Sequence, residues 1–239
     1  MKSLQKQNRP FEGLNGNQIK LLACAAMFCD HAVKAWGIYG PARVILSQVF
    51  GRIAFPIYCF FLAEGFFHTT NRKKYLLRMV IFAALAEVPF DLVIFRTAWY
   101  PQYQNTLWAL SLGLVMFFCL SGIGSRREMS FRLSAFLQGL VIAGFAAAAH
   151  FVHVDYHARG LLAMAFAYYL CKRRPASLAA FWESVCLNLN RFANPGAFFS
   201  LIPLYFYNGK RGDKKLKYFY YIFYPAHLLF LYVVACYIR

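Results

Sequence analysis

Nine stretches of mostly apolar residues follow one another along the chain. They run from Ile19 to Ile38, Val49 to Phe67, Leu76 to Phe95, Leu107 to Leu120, Leu133 to Phe151, Gly160 to Cys171, Leu178 to Phe192, Gly196 to Tyr207 and Tyr218 to Tyr237. A helix that crosses a bilayer needs about 20 such residues. Several of these stretches are shorter, so the pattern predicts that some are tilted, broken or re-entrant. The seventh and eighth are the weakest. If they form a hairpin that does not cross, the sidedness of the other loops is unchanged. No internal repeat is visible, which disfavours an inverted-repeat transporter. The expectation is an all-α, polytopic transmembrane helix bundle of about nine spans, a single domain over residues 1–239.

Composition narrows the class. Of the 239 residues, 60% are hydrophobic and 15% charged, with 26 Phe and 16 Tyr. A soluble domain is about 45–50% apolar and about 25% charged, and a chain of this size cannot hide that much apolar surface in one aqueous core. A soluble enzyme, a disordered protein and a disulfide scaffold are excluded. The seven Cys are scattered, with no CxxC pair, and read as small core residues. The polar segment Met1 to Asn17 has no small-residue cleavage site, so no cleavable signal is expected.

The 26 Lys+Arg outweigh the 9 Asp+Glu, a net charge of +17. Most of the excess falls in five clusters: Lys2/Lys6/Arg9, Arg72/Lys73/Lys74/Arg78, Arg126/Arg127/Arg132, Lys172/Arg173/Arg174 and Lys210/Arg211/Lys214/Lys215/Lys217. They lie before the first span and after the second, fourth, sixth and eighth. Every second loop is basic, as the positive-inside rule requires of one face. The N-terminus is therefore expected in the cytoplasm and the C-terminus outside. Lipids are the expected partner of the apolar surface, and no nucleic acid is needed to explain the charge.

Ionisable groups inside a bilayer cost several kcal/mol (about 2.5–3.5 at a helix centre) and need a reason. Asp30 and His31 sit in LLACAAMFCDHAVKAW, about 18 Å along a helix that begins near Ile19. Asp30 is one turn from Lys34, the spacing of an ion pair. His31 either bonds a neighbouring helix or serves as a general base, the task for which an imidazole is suited near neutrality, with a carboxylate such as Glu64 as its orienting partner. Arg52 lies one turn before Pro56, which interrupts the helical ladder. A buried arginine there suits an anionic ligand or an ion pair with Asp30 or Glu64. Glu64 and His68, and Glu87 and Asp91 around Pro89, are spaced to bond each other. Asn105 opens the fourth span as a cap, and Asp155 with Tyr156 is expected to cap the sixth. His150, His153 and His157 near Asp155 permit a metal, but nothing else supports one and none is expected. His227, in FYPAH, faces either a helix neighbour or the site.

Several segments in order carry a resemblance: IKLLACAAMFCDHA, GRIAFPIYCFFLAEGFFHTTNRKKYLLR, AEVPFDL, NTLWALSLGL, DYHARGLL and LIPLYFYNGKRGDKKLKYFYYIFYPAHLL. From about Asn17 to the C-terminus the chain resembles the TraX family of bacterial inner-membrane proteins. That family is associated with N-terminal acetylation of pilin. It is also similar to integral-membrane acyltransferases that take acetyl from acetyl-CoA and carry a histidine in a membrane helix. The resemblance implies His31 as that histidine, with Asp30 beside it and Glu64 in the AEGF motif as further catalytic residues. It implies Arg52, Asn71, Arg72, Lys73, Lys74, Tyr224 and His227 as groups that bind substrate or CoA.

The expected function is thus transfer of an acetyl group from acetyl-CoA, as co-substrate, to an amine such as a pilin N-terminus, or to a lipid or glycan hydroxyl. His31 would be the base, and a basic cytoplasmic mouth at Arg72, Lys73 and Lys74 would admit the CoA phosphates. Two other classes stay open. A proton-coupled transporter or flippase would use Asp30, Glu64 and Glu87 as a relay. A non-catalytic pilus-assembly factor would use none of these groups chemically.

Overall fold

A computed structural model describes residues 12–126, 128–173, 175–189 and 194–238. Lys2, Lys6, Arg9, Arg127, Arg174 and the end of the seventh stretch at Phe192 lie outside the described residues. Among the described residues a helical element lies over each of the nine apolar stretches: α1 (Gly16–Trp36), α2 (Pro41–His68), α3 (Arg72–Ile94), α4 (Thr106–Gly124), α5 (Phe131–Phe151), α6 (His157–Leu170), α7 (Ser177–Leu187), α8 (Pro195–Tyr205) and α9 (Lys217–Ile238). Among the described residues, α2, α4, α5 and α9 are long and apolar enough to cross a membrane, by length and composition. The other five fall short of that measure, α6, α7 and α8 in length and α1 and α3 by the charges they carry, so the helical bundle stands and length with composition supports four of the nine expected crossings.

The helix ends follow local chemistry. The Asn15 side chain accepts from the Asn17 and Gln18 amides while Gln18 returns a bond to the Asn15 N–H, so α1 starts with a full capping box. Gly37 ends it at φ 65°, a left-handed conformation that glycine takes without strain. The Asn71 side chain caps α3 by accepting from the Lys74 amide, Asn105 caps α4 and Ser130 caps α5.

Helix α2 is not uniform. Val44–Phe50 is a π-helix and Gly51–Ile53 a 3₁₀ turn before regular α-helix resumes at Ala54. Pro56 has no N–H for the Arg52 carbonyl, so the ladder loosens in the turn that precedes it. At that irregularity Gly51 lies against α1: a Cβ on it would stand 2.7 Å from the Asp30 Cβ.

The helix ends sort into two levels. At one, Tyr207 Oη donates to Glu64 (2.7 Å), Arg72 reaches Ser121 (3.4 Å), and the Lys172 ammonium sits 4.1 Å over the Phe67 ring. The N–H of Gly16 bonds the Lys210 carbonyl. The starts of α1, α3 and α9 and the ends of α2, α4, α6 and α8 therefore share one end of the bundle, and the described basic loops gather there. At the other, Arg96 bonds the Lys34 and Ala35 carbonyls, and Gln104 pairs with the 153–155 backbone. The charge alternation read along the chain is thus a separation in space. Buried Phe60, Phe66, Phe117, Leu114, Leu161 and Met164 fill the core. Helix α5 leaves Leu133, Phe136 and Leu140 exposed, an apolar face suited to lipid. All seven Cys are free thiols, four of them buried.

Candidate functional site

His31 projects from the last third of α1 and is 5% exposed. Its Nδ1 is 2.8 Å from Nε2 of His227 on α9, and the rings lie 5.0 Å apart and nearly parallel, at 22°. His227, also 5% exposed, places its Nδ1 2.7 Å from the Phe223 carbonyl one turn earlier. Pro225 lies in that turn and removes the ladder bond to the Tyr221 carbonyl. Tyr224 is edge-on to both imidazoles, at 6.0 Å from His31 and 5.7 Å from His227. The Tyr224 hydroxyl is buried near Thr106 and makes no hydrogen bond of ordinary geometry.

The expected carboxylate partner is not at this imidazole. Gly51 of α2 packs on Asp30, whereas Glu64 lies thirteen residues further along that helix, about 20 Å away by helical rise. Glu64 instead accepts from Tyr207 at the basic end. The partner of His31 is a second histidine, from a helix 196 positions later in sequence. His68 bonds the backbone carbonyl of Glu64 (2.8 Å), not its carboxylate.

Asp30 forms its own network. Its carboxylate accepts from Lys34 (2.7 Å), the spacing the sequence suggested, and from the Ser47 hydroxyl on the π-helical stretch of α2. Arg52 stands between Asp30 and the Tyr156 hydroxyl, its Nε buried without a partner. Among the described residues Arg52 closes an ion pair with neither Asp30 nor Glu64. Asp155 does not cap α6, whose N-cap residue Tyr156 is left-handed at φ 63° and has no side-chain cap. Asp155 accepts from Tyr103 (2.9 Å) and Thr106, which ties the α3–α4 loop to α6. Glu87 accepts from Trp108 (2.9 Å) and Asn105, and Asp91 from the Tyr100 amide (2.7 Å), so these two carboxylates do not bond each other.

A cavity of about 600 Å³ enters the bundle at its basic end. Its rim carries exposed His68, Thr70, Gly209, Arg211 and Asp213. Lys20, Arg78 and Lys217 stand in its wall, and Tyr58, Leu62, Met79, Leu107 and Leu110 line its inner part. The Lys20 ammonium lies 4.5 Å over the Phe61 ring and 5.7 Å from that of Tyr220. At the rim Lys210 bonds Glu12 at 2.8 Å and holds that exposed carboxyl below its ordinary range. His31 is not part of the lining. Leu107 links the two, because it borders the cavity and also packs against the apolar cluster that contains Tyr224.

The cationic wall differs from the one expected. Asn71 is spent on capping α3, and Arg72 packs 4.2 Å over the Phe66 ring while donating to the Phe66 carbonyl. Lys73 and Lys74 are exposed on the first turn of α3. None of the four lines the cavity; Lys20, Arg78, Arg211 and Lys217 do. The sequence itself carries a signal for Lys20. It precedes His31 by eleven residues, three helical turns, so both share one face of α1.

A bundle with crossing-length helices, a cation-walled cavity and an imidazole pair buried among its spans defines an all-helical membrane protein with a polar interior site. The chain belongs to the TraX family, whose model, described as TraX protein, matches residues 15–235. It is also 28% identical over 237 residues to a protein of Dichelobacter nodosus named as the probable fimbrial assembly protein FimC of serogroup H1, covering 90% of this chain and 93% of that protein. No solved structure matches the chain.

Proposed function

We propose that this protein is an acetyltransferase of the bacterial inner membrane, crossing it several times, that serves pilus biogenesis by moving acetyl from acetyl-CoA to an acceptor amine. The observations that support the reading are a cation-walled cavity at the basic end and, deeper in the bundle, a buried imidazole pair that the packed side chains of Leu107 and Tyr224 separate from it. Membership of a family linked to pilin acetylation, and similarity to a protein named for fimbrial assembly, support the pilus context.

The donor enters from the cytoplasm. Lys20, Arg78, Arg211 and Lys217 meet the CoA phosphates as charge-assisted donors, and the apolar inner part takes the pantetheine arm with the thioester foremost. His31 removes the acceptor's proton as the amine nitrogen bonds the thioester carbonyl carbon. The C–S bond breaks, its electron pair leaves on sulfur, and sulfur takes the proton back from His31. Water is kept out by the packing that leaves His31 5% exposed. The Tyr224 hydroxyl, buried beside Thr106 with its ring 6.0 Å from that of His31, serves as donor for the oxyanion. Membrane lipids surround α5. A relay of carboxylates for proton-coupled transport has no support in the geometry, since Asp30, Glu64 and Glu87 are each bonded locally to different partners.

The test is incubation of purified protein with radiolabelled acetyl-CoA and a synthetic peptide carrying a pilin-type free N-terminus. Label on the peptide from wild type, and none from a folded His31→Ala variant, supports the reading. Near-wild-type transfer by His31→Ala removes the imidazole from the mechanism. No transfer to peptide, lipid extract or protein leaves the assembly role without this chemistry.

A further inference from the structure

We infer that His227 is a positioning residue: it holds His31 as the tautomer with hydrogen on Nδ1, so that His31 Nε2 is the atom that takes the acceptor's proton. This rests on the acetyl-transfer reading above. The argument starts at the Phe223 carbonyl, 2.7 Å from His227 Nδ1. A carbonyl oxygen only accepts, so His227 Nδ1 carries a hydrogen. The rings of Phe28, Phe223, Tyr224 and His31 pack around His227. Among the described residues no carboxylate bonds it, and a second proton would make it a buried cation without a partner. Neutral His227 therefore has a bare Nε2. That nitrogen is 2.8 Å from His31 Nδ1 and must accept, so the hydrogen between them belongs to His31. Neutral His31 is left with a lone pair on Nε2, the ring atom turned away from His227.

The neighbours do not offer His31 another partner. Asp30 spends one carboxylate oxygen on Lys34 and the other on Ser47. The chain of bonds runs in one direction, from His31 through His227 to a backbone carbonyl that is fixed by its helix. Reversing it would break the bond to Phe223. The same chain spreads the charge of the imidazolium that forms when Nε2 takes the proton, before that proton passes to the leaving sulfur. This is the task a carboxylate performs in a serine-hydrolase triad, carried out here by a neutral imidazole and a backbone carbonyl.

The experiment uses full-length protein labelled with 15N-histidine in lipid nanodiscs, with the His31 resonances assigned by their loss in His31→Asn. Free histidine in water favours the opposite tautomer, so the readout discriminates. Wild type is expected to show His31 with hydrogen on Nδ1 and a bare Nε2. His227→Leu is expected to lose that preference and to lower kcat for acetyl transfer about 100-fold, with KM for acetyl-CoA unchanged. His227→Gln, whose amide oxygen offers an acceptor where Nε2 stood, is expected to restore kcat to within about 10-fold of wild type. A wild-type His31 protonated on Nε2, or a Leu variant as active as the Gln variant, overturns the assignment. If the tautomer is as stated but wild type moves no acetyl, the tautomer stands and the acetyl-transfer reading fails.

Discussion

Lys20 and His31 project from one face of α1 three turns apart, about 16 Å by helical rise, with Lys20 in the wall of the basic cavity and His31 buried deeper in the bundle. That span suits an elongated donor held by its charged end and presented by its reactive end. Lys20→Gln is expected to raise KM for acetyl-CoA about 10-fold, the loss of one charge-assisted contact of about 1.5 kcal/mol, with kcat little changed. Steady-state kinetics at varied acetyl-CoA checks it; an unchanged KM places the phosphates elsewhere.

The first turn of α3 should matter much less. Lys73 and Lys74 are exposed outside the cavity. Replacing both with Gln is expected to shift KM for acetyl-CoA less than about 2-fold, because exposed charges are screened. Arg78→Gln and Arg211→Gln, which alter the cavity wall, should each shift it several-fold. The reverse order would return the entrance to α3.

Asp30 and Lys34 form an ion pair of unequal burial, with the Asp30 side chain 10% exposed and that of Lys34 37%. Removing the anion strands Lys34, Ser47 and Arg52. Asp30→Ala is expected to destabilise the protein by about 3 kcal/mol, whereas Lys34→Ala should cost about 1 kcal/mol or less because its ammonium reaches solvent. Thermal unfolding in detergent, followed by cysteine reactivity of the buried thiols, compares the two. Equal losses would mean that Asp30 does not hold the π-helical stretch of α2 in place.

Gly51 has no room for a side chain, since a Cβ would meet the Asp30 Cβ at 2.7 Å. Gly51→Ala is expected to cost about 1–3 kcal/mol by overpacking and to push α2 away from α1. Gly139→Ala, on the open face of α5 with nothing within 4 Å, should be neutral or slightly stabilising. A lower melting temperature for the first variant only is the expected pattern.

Sidedness is open to a direct test. Lys210 lies at the basic end of the bundle, and Gln102 in the loop at the other. With Cys236 replaced, Gln102→Cys is expected to react with a membrane-impermeant maleimide added to intact cells. Lys210→Cys should react only after the membrane is opened. The opposite result inverts the topology and moves the donor entrance outside.

The sequence alone determined the all-helical bundle, the nine helical segments and the alternation of basic loops. Each depends on neighbours within a few residues: apolar length, a capping Asn, a run of Lys and Arg. The Asp30–Lys34 pair was legible for the same reason, because four residues of one helix are always one turn apart. The singling out of His31 came from the cost of an ionisable group in a membrane and from family resemblance, and both act position by position.

Partners from distant parts of the chain belonged to the tertiary structure alone. Spacing along one helix could not show that His31 meets His227 and that Glu64 does not reach it, because the packing of α1 against α2 and α9 sets which levels coincide. The cavity's cations come from α1, α3, α9 and the segment before α9, so no single basic run marked them, and the densest run on α3 faces away. Helix packing decides which residues share a level, and in this protein that decided which imidazole, cavity wall and carboxylate could act together.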